Sequence, residues 1–331
     1  DNVVVATEPL QAGQAIPTDG GTLALVADVP PGHKIALHPI AAGEPVVKYG
    51  FPIGRATAAI AAGEWVHSHN LATALSGMQE YAFRPAGPPP APAGPVPTFM
   101  GYRRPDGRVG VRNEVWIVNT VGCVNTAAER IARAASERYA SQVDGVHAFA
   151  HPYGCSQLGD DLTNTQRVLA GLIRHPNAGG VLVLGLGCEN NQMAMLLAQA
   201  GEIDQSRLRF FNTQDVIDEV EEGIEAVEQL VRAMESDRRV ECPASDLVIG
   251  HKCGGSDGFS GISANPLVGR IADRLTAMGG GVILTEVPEM FGAERVLMNR
   301  AVDERVFADI VRMIDEFKQY FIRHDQPIYE N

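Results

Sequence analysis

The chain has 331 residues, 45% of them hydrophobic and 20% charged, with a net charge of −13. This is the composition of a globular protein of two or three domains, and its acidity argues against nucleic acid or an anionic membrane as partner. No apolar run approaches the roughly 20 residues that cross a bilayer, and five cysteines, an odd number, do not read as a secreted disulfide framework. A cytoplasmic protein with reduced thiols is expected.

Residues 1–75 contain short β-type runs punctuated by glycine, among them "NVVVAT", "TLALVADV", "HKIALHPI", "EPVVKYG" and "EWVHSHN". Several alternate apolar and polar residues, as half-buried strands do, which predicts a small β domain. Residues 76–98 follow as a linker whose centre, "RPAGPPPAPAGPVP", is too rich in proline for the interior of a helix or sheet.

Beyond the linker, continuous apolar runs alternate with amphipathic helical segments. "VWIVNTVGC", "GVHAFAHPYGC", "GVLVLGLGC", "LRFFNT", "DLVIGHKC" and "GVILTEV" each precede a helical pattern. This is the rhythm of βα units in a parallel sheet covered on both faces. The predicted class is α/β: the N-terminal β domain, the linker, and parallel-sheet, Rossmann-like lobes. A first lobe is expected over 99–240 and the start of a second, incomplete one over 241–331.

Four of the five cysteines, Cys123, Cys155, Cys188 and Cys253, close such an apolar run, at spacings of 32, 33 and 65 residues. Ligands of parallel α/β sheets bind beyond the carboxyl ends of the strands, where helix N-termini favour anions and thiolates. The four are therefore expected at one sheet edge, and Cys242, which precedes its strand, outside the group. Buried small hydrophobes are the plain alternative for any one of them. Zinc-ribbon spacing is absent, "GLGCEN" lacks the third glycine of a dinucleotide fingerprint, and no phosphate-binding G-x-x-x-x-G-K-[ST] occurs.

"CGGSDGFSGISANP" (253–266) offers flexible glycines beside hydroxyls and a carboxylate, a suitable cradle for a carboxylate or phosphate, with Asn265 expected to cap a helix that begins at Pro266. An ordinary glycine-rich turn is the alternative. In "WVHSHN", His67 and His69 would share one face of an extended segment and could converge on a metal, or could simply be surface residues. His151 and Glu189 could join a metal site or act as base and acid. His33, His38, His147, His175 and His324 have no such context and read as structural or exposed.

The ordered set "GEPVVKYGFPIG", "GEWVHSHN", "GYRRPDGRVGVRNEVWIVNTVGCVN", "HPYGCSQLGDD", "GLGCENNQ", "KCGGSDGFSGISANP" and "TEVPEMFGAE" closely resembles the altronate dehydratase/galactarate dehydratase family across the whole chain. "VHSHN" resembles the altronate branch. The resemblance implies an N-terminal SAF-type domain and loss of water from a sugar acid to give a 2-keto-3-deoxy acid. It also implies a divalent metal, iron(II) first and manganese(II) second, with an iron–sulfur cluster as a further alternative. The catalytic candidates are His67, His69, His151 and Lys252. Gly254, Gly255, Ser256, Asp257, Ser260, Asn125 and Asn190 are the candidates for binding substrate, and His67, His69, Cys155, Cys188, Glu189 and Cys253 for holding metal. A homodimer acting on a small sugar acid is expected. Competing readings are a galactarate or other aldarate dehydratase, a sulfolactate-lyase-like enzyme, a non-catalytic metal or iron–sulfur protein, and a sugar-acid-binding regulator. Family members extend beyond "HDQPIYEN", so further residues or a second chain are expected to complete the last lobe.

Overall fold

A computed structural model describes residues 1–87, 94–255 and 257–329. It divides into two compact units, one formed by Asp1–Ala93 with Val248–Asn331 and the other by Gly94–Leu247.

The N-terminal part of the first unit is the expected small β domain. Its strands are β1 (Val3–Val5), β2 (Ala15–Thr18), β3 (Gly21–Ala24), β4 (Lys34–Ala36), β5 (Pro45–Lys48), β6 (Phe51–Ala56), β7 (Trp65–Val66) and β8 (Leu71–Ala72). They pair antiparallel as β1-β4-β7, β2-β3 and β5-β6-β8. One turn recurs three times. The side chains of Gln14, Glu44 and Glu64 each accept a hydrogen bond from the backbone N–H three residues earlier, at 3.1, 2.9 and 2.8 Å. The third copy leads into Trp65 and the histidines. Two small apolar cores fill the domain, one around Val3, Val46, Ile60 and Val66, the other around Leu10, Leu25, Val29 and Ile35.

The second unit begins with β9 (Thr98–Arg103) and β10 (Val109–Gly110), followed by β11 (Glu114–Asn119), α1 (Asn125–Tyr139), β12 (Val146–Phe149), α2 (Gly159–Ile173) and β13 (Ala178–Gly185). It ends with α3 (Met193–Ala200), β14 (Leu208–Asn212), α4 (Glu219–Met234) and β15 (Val240–Pro243). Its parallel sheet runs β12-β11-β13-β14. The apolar runs are continuous because alternate residues serve opposite faces. Val115, Ile117, Leu182 and Leu184 pack on α1 and α4, while Val118, Val181 and Val183 pack on α2 and α3. In α1, Ala128, Ile131, Ala132 and Ala135 form the buried stripe that a 3.6-residue period dictates. Asp218 starts α4 by accepting from Val220 N and Glu221 N at 3.0 Å.

One boundary moves. β15 pairs antiparallel with β9, as β10 does on the other side, so residues 241–247, read as the start of a second lobe, belong with the first. Cys242 lies on β15, fully buried opposite Phe99 and outside the cysteine group as expected.

The remainder of the first unit comprises β16 (Val248–His251), α5 (Asn265–Ala277), β17 (Gly281–Leu284), α6 (Glu294–Met298) and α7 (Glu304–Arg323), with β16 and β17 paired in parallel. The helix expected to start at Pro266 starts earlier. A π-turn over Ser260–Ala264 runs into α5, and Asn265 is itself helical and caps nothing. Asp257 does the capping, accepting from Phe259 N at 2.8 Å and Ser260 N at 3.0 Å.

The linker is docked where it is described, while its residues 88–93 lie outside the described residues. The Tyr81 hydroxyl donates to Glu294 at 2.6 Å, Arg84 N donates to Asn299 Oδ1 at 3.2 Å, and Phe83 packs on Phe307. Lys318, fully buried, donates to Glu294 at 2.8 Å and to the Tyr81 oxygen at 2.8 Å, with the Phe291 and Tyr329 rings within 5.3 Å. Proline content gives extension; Tyr81 and Phe83 supply the attachment that the composition does not reveal.

Candidate functional site

In the second unit the chain after each parallel strand collects at one sheet edge. The strand order places β12 and β13 on opposite sides of β11, so the loops after β11 and β13 diverge there, the position where open α/β sheets bind ligands. Backbone bonds knit the loops: Gly122 N donates to Tyr153 O at 2.7 Å, Asn190 N to Cys155 O at 2.8 Å, and Gln214 N to Leu186 O at 3.1 Å. Cys123, Cys155 and Cys188 are all exposed on these loops, and Gln214 Nε2 lies 3.5 Å from Cys188 Sγ.

Several candidates here are committed to the loops themselves. Glu189, 2% exposed, accepts from the Thr120 hydroxyl, from Leu186 N at 3.0 Å and from Gly187 N at 2.6 Å. Burial alone would push its carboxyl up, but these donors outweigh it and hold it below the usual range. His151 has both ring nitrogens occupied: Nδ1 accepts from Tyr153 N at 3.3 Å and Nε2 lies 3.0 Å from Asn119 O. Asn125 bridges Asn119 and the His151 carbonyl, and Asn190 donates to Gln157 O at 3.0 Å. Asn119, Thr120 and Asn191 are site-edge residues that motif reading passed over, each buried at the tip of a strand or loop. The Oδ1 atoms of Asn119 and Asn191 are buried with no hydrogen-bond partner among the described residues. The signal in the sequence was asparagine and threonine directly after an apolar strand.

Cys253 does not share this edge. It follows β16, which belongs to the separate two-stranded sheet of the first unit. The spacing between cysteines counts βα units but does not say which strands pair. Cys253 N donates to Glu286 Oε2 at 2.8 Å, and Lys252 Nζ lies 3.9 Å from Glu286 Oε1. Glu286 has φ +64, a left-handed conformation that costs a non-glycine residue of order 1 kcal/mol. It was missed because only its side chain's partners, 33 residues away, reveal it.

Beside Cys253 the glycine-rich loop approaches the β domain of the same unit. A Cβ on Gly258 would stand 2.7 Å from both Cα and O of Gly32, so the two backbones touch. Gly254 and Gly255 are exposed, and Asp257 is the helix cap, held below its ordinary range by the Ser260 and Phe259 N–H groups. Ser260 Oγ donates to Asp257 at 3.1 Å, and Ser256 lies outside the described residues.

His67 and His69 are not on an extended segment. β7 ends at Val66, and a tight turn follows, built by Asn70: His67 N donates to Asn70 Oδ1 at 3.0 Å, and Asn70 Nδ2 donates to Trp65 O at 2.9 Å. Both imidazoles are exposed and surround the Trp65 indole, His67 at 5.4 Å and His69 at 5.3 Å between ring centroids. His33 joins them, 5.0 Å from His67. The His67 imidazole is held below its ordinary range, by desolvation first and then by the neighbouring His33, Lys34 and His69.

The ligand set read from the sequence does not assemble within either unit. His67, His69 and Cys253 lie in one; Cys155, Cys188 and the fully engaged Glu189 lie in the other. Among the described residues no group of three or more His, Cys, Asp and Glu is arranged to hold a metal ion. The donors present therefore do not fit iron(II) in either unit alone. A cleft of about 740 Å³ opens at the opposite end of the parallel sheet, lined by Arg104, Arg207 and Asp237 among others. Its charges are spent on one another, Arg207 gripping Asp237 at 2.7 and 2.8 Å, and strand-end chemistry favours the other edge.

Three family models match in order: the altronate/galactarate dehydratase SAF domain over residues 1–74, the D-galactarate dehydratase/altronate hydrolase second domain over 101–235, and the D-galactarate/altronate dehydratase C-terminal domain over 244–331. The chain is 50% identical to the altronate dehydratase of Bacillus subtilis (strain 168) and 51% identical to that of Escherichia coli (strain K12), in each case over 100% of this chain and 67% of the relative. Against the galactarate dehydratase (L-threo-forming) of Escherichia coli (strain K12) the identity is 34%, over 97% of this chain and 63% of the relative. The chain thus spans about two thirds of the length of these relatives. With its SAF-type β domain and both dehydratase regions matched in sequence order, it belongs to the D-galactarate/altronate dehydratase family.

Proposed function

We propose that the protein is a hydro-lyase that removes water from a sugar acid, with altronate as the substrate and a 2-keto-3-deoxy acid as the product. The observation that carries this reading is the identity of 50 and 51% to two altronate dehydratases along the entire chain. The reaction takes a proton from the carbon bearing the carboxylate and a hydroxyl from the next carbon. Together they leave as water, and the resulting enol becomes the ketone.

A proton beside a carboxylate is weakly acidic, so the enolate needs positioned donors and the departing hydroxyl needs a proton. His67 suits the base, because its lowered proton affinity keeps the imidazole neutral near pH 7. The exposed His69 is available to protonate the leaving hydroxyl. Lys252 supplies positive charge beside the glycine-rich loop, tempered by Glu286. Gly254, Gly255 and Ser260 are the substrate-binding proposals of that loop.

The test is formation of 2-keto-3-deoxy acid across a panel of aldonates and aldarates with iron(II) added. Turnover of altronate well above galactarate is expected, and no dehydration of any member would overturn the reading. Iron(II) dependence is a separate proposal carried by the family resemblance alone, read from the activity of chelator-treated protein before and after iron(II) is restored. A cytoplasmic homodimer is likewise proposed, with light scattering as the measure of its mass. Among the described residues no helix is long and apolar enough to cross a membrane.

A further inference from the structure

His33 sits where the β domain meets the glycine-rich loop. Its chain neighbour Gly32, at φ +81, is the residue in backbone contact with Gly258. On its other side is Lys34, half-buried, whose ammonium is held below its ordinary range by burial and then by Lys48. The imidazole is half-buried and lies 5.0 Å from His67 and 5.2 Å from Trp65.

One hydrogen bond decides what this ring can do. Trp65 Nε1 lies 3.0 Å from His33 Nδ1. An indole N–H can only donate, so Nδ1 is the acceptor nitrogen and the neutral ring carries its proton on Nε2. Among the described residues nothing takes a hydrogen bond from that Nε2–H. A donor of fixed tautomer, without a partner among the described residues, therefore stands 5.0 Å from the His67 ring and next in sequence to the Lys34 ammonium, whose charge favours an anion.

We propose that His33 is a substrate-binding residue: its Nε2–H donates a hydrogen bond to the carboxylate of the sugar acid, and Trp65 fixes the tautomer that makes this possible. Trp65 acts through His33 and is a positioning residue. The inference rests on the sugar-acid reading of the site. Sequence context alone gave His33 no role, because its partner Trp65 is 32 residues away.

The experiment uses the full chain with His33→Ala, His33→Gln and Trp65→Phe. Binding of altronate and of its alditol, which lacks the carboxylate, is measured by calorimetry beside steady-state turnover of altronate. Wild type is expected to bind the acid and not the alditol. His33→Ala should weaken acid binding and raise KM about 10- to 100-fold, the loss of one hydrogen bond to a charged group. His33→Gln, whose amide N–H lies near the position of Nε2–H, should recover most of that loss. Trp65→Phe should weaken binding by a smaller factor, and ¹⁵N spectra of the imidazole should show the Nε2–H tautomer in wild type and a mixture in the variant. Wild-type binding in His33→Ala, or an Nδ1–H tautomer in wild type, would overturn the proposal. Should His33→Ala fail to fold, the Gln and Phe variants and the wild-type tautomer still decide it. Wild type that binds the acid without dehydrating it would overturn the reaction and leave His33 standing; absence of any binding would overturn both.

Discussion

The Thr120 hydroxyl donates to the Glu189 carboxylate between the ends of β11 and β13, the pair of strands from which the parallel sheet is built outward in both directions. The carboxylate in turn receives Leu186 N and Gly187 N, so one buried anion fixes the loop that carries Cys188. Thr120→Val should cost about 1–3 kcal/mol by removing a donor from a buried charged group, read as a lower urea midpoint. Glu189 has a depressed proton affinity, so its contribution is fully present above the ordinary glutamate value of about 4.3. It is lost as pH falls through the lower, folded value, and the gap between wild type and variant should narrow there. Identical midpoints at pH 7 would show that the bond contributes nothing.

Gly258→Ala should damage function more than stability. The new Cβ would stand 2.7 Å from the Cα and O of Gly32, backbone atoms that no rotamer can move. The glycine-rich loop must then shift away from His33, and dehydration should fall by about 10-fold or more, given that misplacement near 1 Å can cost about 100-fold. Gly261→Ala meets nothing within 4 Å and serves as the control. Equal activity in both variants would show that the contact is unimportant for catalysis.

Lys318→Met should be among the most destabilising single changes in the first unit, by about 3–5 kcal/mol, because it leaves the buried Glu294 carboxylate without its cation. Adding Glu294→Gln should recover part of the loss. Burial raises Glu294, but Lys318 and Tyr81 override it and hold the carboxyl below its ordinary range. Burial lowers Lys318, but Glu294 and the tyrosines override it and hold the ammonium above its own. The pair is therefore fully stabilising between about pH 4.3 and 10.4, the ordinary values. It weakens only as pH falls through the folded Glu294 value or rises through the folded Lys318 value. Tyr81 is pushed up to about 12 by burial and then Glu294, so it stays protonated across the window. Asp315, raised by burial, opposes the acid limb. Chemical denaturation from pH 3 to 11 measures this.

Brief alkylation of the native protein should modify Cys123, Cys155 and Cys188 first and leave Cys242 untouched, because the first three are exposed and the last is fully buried. Peptide mass spectrometry gives the order. Early labelling of Cys242 would contradict its pairing with β9.

Periodicity in the sequence was enough for the elements, because burial on both faces of a parallel sheet demands continuous apolar runs, and an amphipathic helix demands a stripe at 3.6 residues. That determined α1, β11 and β13, the small β domain, and the placement of Cys123, Cys155 and Cys188 at strand ends. Ordered motifs carried the family. Pairing between distant strands was not legible, since β15 could close on β9 or open a new lobe with the same residues, and Cys253 follows a strand of a different sheet from the other three. Nor was the difference between a group that is free to react and one already engaged. Glu189 and His151 have reactive side chains but spend them on loop bonds, whereas His33 acquires a donor of fixed tautomer at Nε2 only because Trp65 folds against its other nitrogen. Local spacing fixes which face a residue occupies; only the tertiary fold decides which hydrogen-bond partners reach it.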